Sequence, residues 1–127
     1  MERHTFPKQE RLRGRPRIQR LIAEGRTVHV PPFRLTGLYM ELDAPVPAQV
    51  VFAVPKRNLP RAVDRNRARR RMREAYRLHK RLYHDQLLQR GRSCAWIFVL
   101  QGRTVPAYAE VEGKMIRALD RWFKEHA

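Results

Sequence analysis

The chain has 127 residues, with 28 Lys or Arg against 12 Asp or Glu, a formal net charge of +16 and a pI near 11.5. That length fits one ordinary domain, and 43% hydrophobic residues supply a core, which excludes a wholly disordered basic tail. No apolar run approaches the ~20 residues of a membrane span, the start MERHTFPKQERLRGRPR lacks the apolar centre of a secretory signal, and Cys94 alone supports neither an intramolecular disulfide nor a Cys-based zinc site. A single cytoplasmic domain over 1–127 is the expectation.

In chain order, a short helix is expected from about Pro16 to Glu24, with Ile18, Leu21 and Ile22 at helical spacing and Gly25 as its stop. Three strands follow, around Val28 to Phe33, Arg34 to Leu42 and Gln49 to Val54, where β-branched and aromatic residues are frequent. Asp43 to Ala48, with Pro45 and Pro47, reads as the turn between the last two. The run CAWIFVL, Cys94 to Leu100, has the length and continuous apolarity of a buried strand. After Pro106, Tyr108, Val111, Met115, Ala118, Leu119 and Trp122 recur at the spacing of a last amphipathic helix.

Between these lies the segment from Arg61 to Tyr83. At 100° per residue, Ala68, Met72, Ala75, Tyr76, His79, Leu82 and Tyr83 fall within an arc of roughly 120°, the width of a core-facing stripe. Arg69, Lys80, Arg73, Asn66, Arg77, Arg70 and Arg81 occupy the adjacent arc, so one flank should be a strip of cations with one amide. Arg pairs four apart, such as Arg65 with Arg69 and Arg69 with Arg73, repel by about 0.2 to 0.5 kcal/mol each, a strain that phosphates would relieve.

Charge along the chain is uneven. Pro55 to Arg90 carries thirteen basic and three acidic side chains, and Met1 to Arg34 carries nine and three. A field of one sign repels itself and usually answers a polyanion; nucleic acid is the first candidate and an anionic membrane surface the second. Arg supplies 23 of the 28 cations, and a guanidinium is a planar fork suited to bidentate phosphate contacts and to stacking on bases. A catalytic site in the protein is not apparent. The five histidines lie in different elements, and no HExxH, GxSxG or phosphate-cradling glycine loop is present. Cys94 sits in a strand-like run as a small core residue, and Glu110 and Glu112 suit a helix N-terminus. The residues alone therefore describe a basic α+β domain that binds nucleic acid through a helix and an open sheet face, with no catalytic residue and no metal ligand assigned, a histidine pair for acid/base RNA cleavage being the alternative. A ribosomal or RNA-chaperone-type protein would share this composition. A helix-turn-helix DNA reader would need a helix where Gln49 to Val54 is strand-like.

The run VPKRNLPRAVDRNRARRRMREAYR, Val54 to Arg77, resembles the signature of the bacterial ribonuclease P protein component. Lys56 and Arg57 match its basic pair, Arg65, Asn66 and Arg67 its Arg-Asn-Arg triplet, and Arg69, Arg70 and Arg73 the cations that follow. Arg11-Leu12, Ile18, Ile22, Gly25 and Phe33 keep the order of the family's N-terminal region, and the last strand and helix correspond as well. The loop Asn58-Leu59-Pro60 is one residue longer than the common pattern. Ile18 and Ile22 stand where Phe is frequent, and Thr36 where Tyr is.

The resemblance implies a four-stranded sheet with three helices, an α-β sandwich whose βαβ crossover has the uncommon left hand. It also implies a ribonucleoprotein endonuclease that removes the 5′ leader of precursor tRNA, with catalysis in a large RNA that binds the magnesium ions. Lys56, Arg57, Arg61, Arg65, Asn66, Arg67, Arg69, Arg70, Arg73 and Arg77 would then contact that catalytic RNA. Phe6, Arg11, Ile18, Ile22 and Phe33 would border a cleft for the single-stranded leader, with ordinary core packing as the alternative for Phe33, Ile18 and Ile22. No membrane and no small-molecule substrate is implied.

Overall fold

A computed structural model describes residues 6–126. A single helical turn at Lys8–Glu10 leads into an extended stretch in which Arg11 bridges Val50 in parallel, and then into α1, Arg15–Glu24. Pro16 lies in the first turn of α1, where its missing N–H costs nothing. Gly25 ends the helix against the sheet: a Cβ there would collide with the Leu21 carbonyl and sit 2.6 Å from Thr36 Cγ2. β1 (Arg26–Val30), β2 (Phe33–Tyr39), β3 (Ala48–Ala53), α2 (Ala62–Arg90), β4 (Cys94–Leu100) and α3 (Tyr108–His126) complete the chain. α2 stops at Gly91 in the left-handed region, φ 63°, with Arg92 N–H donating to Leu87 O and Gly91 N–H to Leu88 O.

The sheet order is β1-β2-β4-β3, antiparallel except for the parallel pair β3/β4 that α2 connects. The hand of that crossover follows from two hydrogen bonds and the chirality of L-residues. Val50 turns its side chain to the layer that holds α2, and its carbonyl, pointing away from β4, accepts from Leu12 N–H. Cys94 faces the same layer and donates its N–H to Pro47 O beside β3. In an L-strand drawn pointing up with the side chain toward the viewer, that residue's N–H and C=O point right. β3 therefore lies to the right of β4, and passing from β3 through α2 in front to β4 moves left: the crossover is left-handed, against the usual rule.

Alternation along the strands builds two different faces. Val28, Val30, Phe33, Leu35, Val50, Phe52, Trp96, Phe98 and Leu100 form the main core with α2 and α3. Ala95, Ile97 and Val99 face the other way, where Leu12 and Leu21 join them from the N-terminal segment and α1.

Several expectations are corrected. The first strand ends at Val30, because Pro31-Pro32 forms the turn and Phe33 opens β2; β2 itself stops at Tyr39. Along α2 the buried arc rotates, since the helix packs on the sheet first and then on α3 and the N-terminal segment. Leu82 is thus 60% exposed, whereas Lys80 and His84 are buried. Lys80 leaves the cationic strip and pairs with Glu10 at 2.5 Å; His84, which shares α2 with His79 where separate elements are expected, meets Tyr76 OH through Nε2 at 2.8 Å.

Candidate RNA-binding surfaces

The first surface is the N-terminal half of α2 with the loop before it. Tight packing of Ala68 and Met72 on the sheet fixes the rotation of the helix, so that Arg67 and Arg70 stand exposed on its outer side. Lys56, Arg57 and Arg61 are exposed in the loop at the C-terminal end of β3, and among the described residues none of these five has an ion-pair partner. Arg65 is half-buried and donates from Nη1 to the carbonyls of Leu59 (3.0 Å) and Pro60 (2.7 Å), which fastens the loop to the helix. Asn66 is exposed, and its Oδ1 accepts from Arg69 Nη2 at 2.7 Å. Asn66 does not cap the helix; Arg61 holds the N-cap position.

Arg73 carries the electrostatic signature of crowding. Partial burial, followed by the charges of Arg11 and Arg69, lowers the pKa of its guanidinium. Arg11, Arg69 and Arg73 therefore converge, and Arg11 belongs to this surface and not to the cleft where the resemblance puts it. Its guanidinium also lies 5.3 Å from the Phe6 ring centroid. Arg77 is held by Glu74, Nε to Oε2 at 3.0 Å and Nη2 to Oε1 at 2.5 Å, a bond that raises its own pKa and lowers that of Glu74. It is the member of the expected set tied to a carboxylate.

The second surface is the face of the sheet beneath α1. The strand register lines up two rows across it. Ala53, Val99, Arg34 and His29 are cross-strand neighbours in one, and Val51, Ile97, Thr36 and Thr27 in the next. α1 covers this face incompletely and leaves a cleft of about 320 Å³ lined by Ile22, Thr27, His29, Arg34, Thr36, Ile97 and Val99. Ile18 is half-buried against the small core under α1, whereas Ile22 is 57% exposed at the cleft wall. Thr27 and Thr36 hydroxyls bond each other at 2.8 Å across its floor.

Phe33 and Phe6 lie elsewhere. Phe33 is fully buried in the α2/α3 core, because it differs in strand parity from Arg34 and Thr36. Phe6 packs at the outer edge of β3, with its ring 5.8 Å from those of Phe52 and Tyr76. Neither reaches the cleft. Sequence reasoning missed Thr27, His29 and Arg34; the two-residue period of β2, counted from Thr36, was the signal for Arg34. Cys94 is buried, and burial pushes its thiol well above the usual range. Among the described residues no three His, Cys, Asp or Glu side chains are placed to hold a metal ion.

A family model described as Ribonuclease P matches residues 6–122. The chain is 33% identical over 114 residues to the ribonuclease P protein component of Porphyromonas gingivalis, a match covering 90% of this chain and 83% of that one. Against the ribonuclease P protein component of Chlorobaculum tepidum the identity is 39% over 89 residues, covering 62% and 53%. The fold matches the RNase P protein of Staphylococcus aureus with a TM-score of 0.73 at 19% identity, over 90% of this chain and 95% of that one. It matches that of Thermotoga maritima with a TM-score of 0.68 at 19% identity, over 88% and 96%. With a family match across nearly its whole length and the same architecture, the chain belongs to the ribonuclease P protein component family.

Proposed function

We propose that this chain is the protein subunit of ribonuclease P, binding the catalytic RNA through the first surface and the 5′ leader of precursor tRNA through the second, and so promoting removal of the leader. The observation that carries this reading is the first surface itself. Exposed, unpaired guanidinium groups crowd one half of a single helix and its loop, and they repel one another until a polyanion neutralises them. Contacts of this kind position an RNA by its phosphates and its shape.

The reading places magnesium mainly with the RNA subunit. The protein's part is to screen phosphate repulsion where RNA and substrate approach each other. The cleft suits single-stranded RNA: Ile22 and the threonine methyls give apolar contact, and Arg34 meets phosphate or stacks on a base, with little sequence preference. Among the described residues no helix is long and apolar enough to cross a membrane.

The test is cleavage of precursor tRNA by a bacterial ribonuclease P RNA at low magnesium, with and without this chain. The chain should lower the magnesium requirement, and freed of RNA it should not cut. Failure to stimulate would favour a ribosomal or RNA-chaperone-type protein. Robust magnesium-dependent cleavage by the protein alone would overturn the division of roles.

A further inference from the structure

The cleft does not end at the sheet. His29 stands on β1, the edge strand, and borders a second groove of about 390 Å³ on the far side, lined by Val30, Pro31, Lys114, Arg117 and Arg121. Lys114, Arg117 and Arg121 fall on one side of α3, three and four residues apart. The charged residues lining this groove are all basic. Arg121 is committed to structure: it donates to His29 O at 2.8 Å and to Glu125 at 2.6 Å, tying α3 to the edge strand. Lys114 and Arg117 have no ion-pair partner among the described residues.

The two grooves meet at His29, which lines both. The row Ala53, Val99, Arg34 and His29 crosses the sheet to the β1 edge, and the second groove continues between β1 and α3. From Ala53 to His29 is three strand spacings, roughly 14 Å. Cationic side chains line both grooves, Arg34 in the cleft and Lys114 and Arg117 beyond the edge. Spaced cations with an apolar floor fit an extended single strand, whose phosphates recur along its length, better than a duplex or a compact anion.

We propose that the α3 groove is a second RNA-binding site, which takes the phosphates of the leader that lie upstream of the portion in the cleft. This rests on the reading of the cleft as the leader site. The consequence is a dependence on leader length. A leader too short to pass His29 gains nothing from Lys114 and Arg117, whereas a longer one gains two phosphate contacts.

The experiment uses the holoenzyme, this chain with a bacterial ribonuclease P RNA, and precursor tRNAs that differ only in leader length. Affinity is measured for wild type and for a Lys114→Gln/Arg117→Gln chain, with Arg121 left intact and the melting temperatures compared. The double substitution should weaken binding of long-leader substrate about three- to tenfold and leave short-leader substrate unchanged. For the long leader alone, the slope of log affinity against log salt should fall by about 1.4, the value for two lost single-strand phosphate contacts. Equal losses for long and short leaders, or no loss for either, would overturn the α3 site. In the second case, if wild type still binds long leaders more tightly than short ones, the cleft reading survives and only its extension fails. If wild type shows no leader dependence at all, both fail.

Discussion

The two faces of the sheet are built from adjacent residues of the same strands, yet they behave as different materials. On the α2/α3 face, Trp96, Phe98, Phe33 and Phe52 meet Tyr76, Trp122 and Phe123 in a continuous aromatic core, with Trp96 and Trp122 edge to face at 5.9 Å. On the α1 face the same strands offer Ala95, Ile97, Val99 and threonines, and a helix of ten residues covers only part of them. One face is filled by large rings and holds the fold. The other is floored by small and branched side chains and stays open, which is what an accessible surface for a flexible strand requires. The division of labour is set by side-chain size at alternate positions.

That contrast can be broken by substitution. Trp96→Ala should cost about 3 to 5 kcal/mol of unfolding free energy, since it empties a fully buried site among packed rings. Ile22→Ala, at the exposed cleft wall, should cost about 0.5 kcal/mol or less while weakening substrate binding. Denaturant unfolding of the two variants decides the matter. Comparable losses would show that the cleft wall is as structural as the core.

A pH titration sharpens the contrast within the core layer. Burial, reinforced by the nearby Lys80 charge, pushes His84 down from its usual 6.5 to about 4. Between those values the unfolded chain takes up a proton on His84 and the folded chain does not. The stability is therefore whole above pH 6.5 and is lost as pH falls toward 4, by about 3 kcal/mol at most. His84→Gln should flatten that part of the stability curve; an unchanged curve would assign the acid sensitivity to other groups.

Asn66 gives a smaller effect. Asn is a poor helix former, so Asn66→Ala should leave the melting temperature unchanged or raise it slightly. Its amide orients Arg69, and RNA affinity should nevertheless fall. Equal affinity with an unchanged melting temperature would mean that the amide does nothing at the RNA.

Much of this was legible beforehand. Hydrophobic period and turn residues placed α1, β4, α3 and the basic half of α2, because local spacing and burial agree there. Helical spacing accounts for the exposure of Arg67, Arg70 and Arg73, and fails beyond them at Lys80 and Leu82. Lys80 is buried because Glu10, seventy residues away, reaches it, and Leu82 is exposed because the helix turns onto α3. The cleft position of Phe33 comes from the resemblance, and the structure gives it the alternative, core packing: β2 begins at Phe33, and parity alone sends Phe33 and Thr36 to opposite faces. Phe6 and Arg11 depend on where the N-terminal segment runs. It follows the outer edge of β3, through Arg11 beside Val50 and the bond from Gln49 Nε2 to Gln9 O at 2.8 Å, a tertiary choice that no local pattern records. The left-handed crossover came from the resemblance and not from the residues, since helix and strand signals are the same for either hand.

The central claim is that Arg69 and Arg73, among the crowded cations on the first half of α2, serve a phosphate-binding surface and contribute nothing to holding the fold, unlike Arg65, which fastens the loop. The most direct measurement is the affinity of the chain for ribonuclease P RNA across a range of salt concentrations, for wild type and for Arg69→Ala/Arg73→Ala, with melting temperatures alongside. The account predicts a steep slope for wild type, a slope smaller by about two units in the variant, and a melting temperature that is unchanged or higher because mutual repulsion has been relieved. An unchanged slope together with a lowered melting temperature would contradict it.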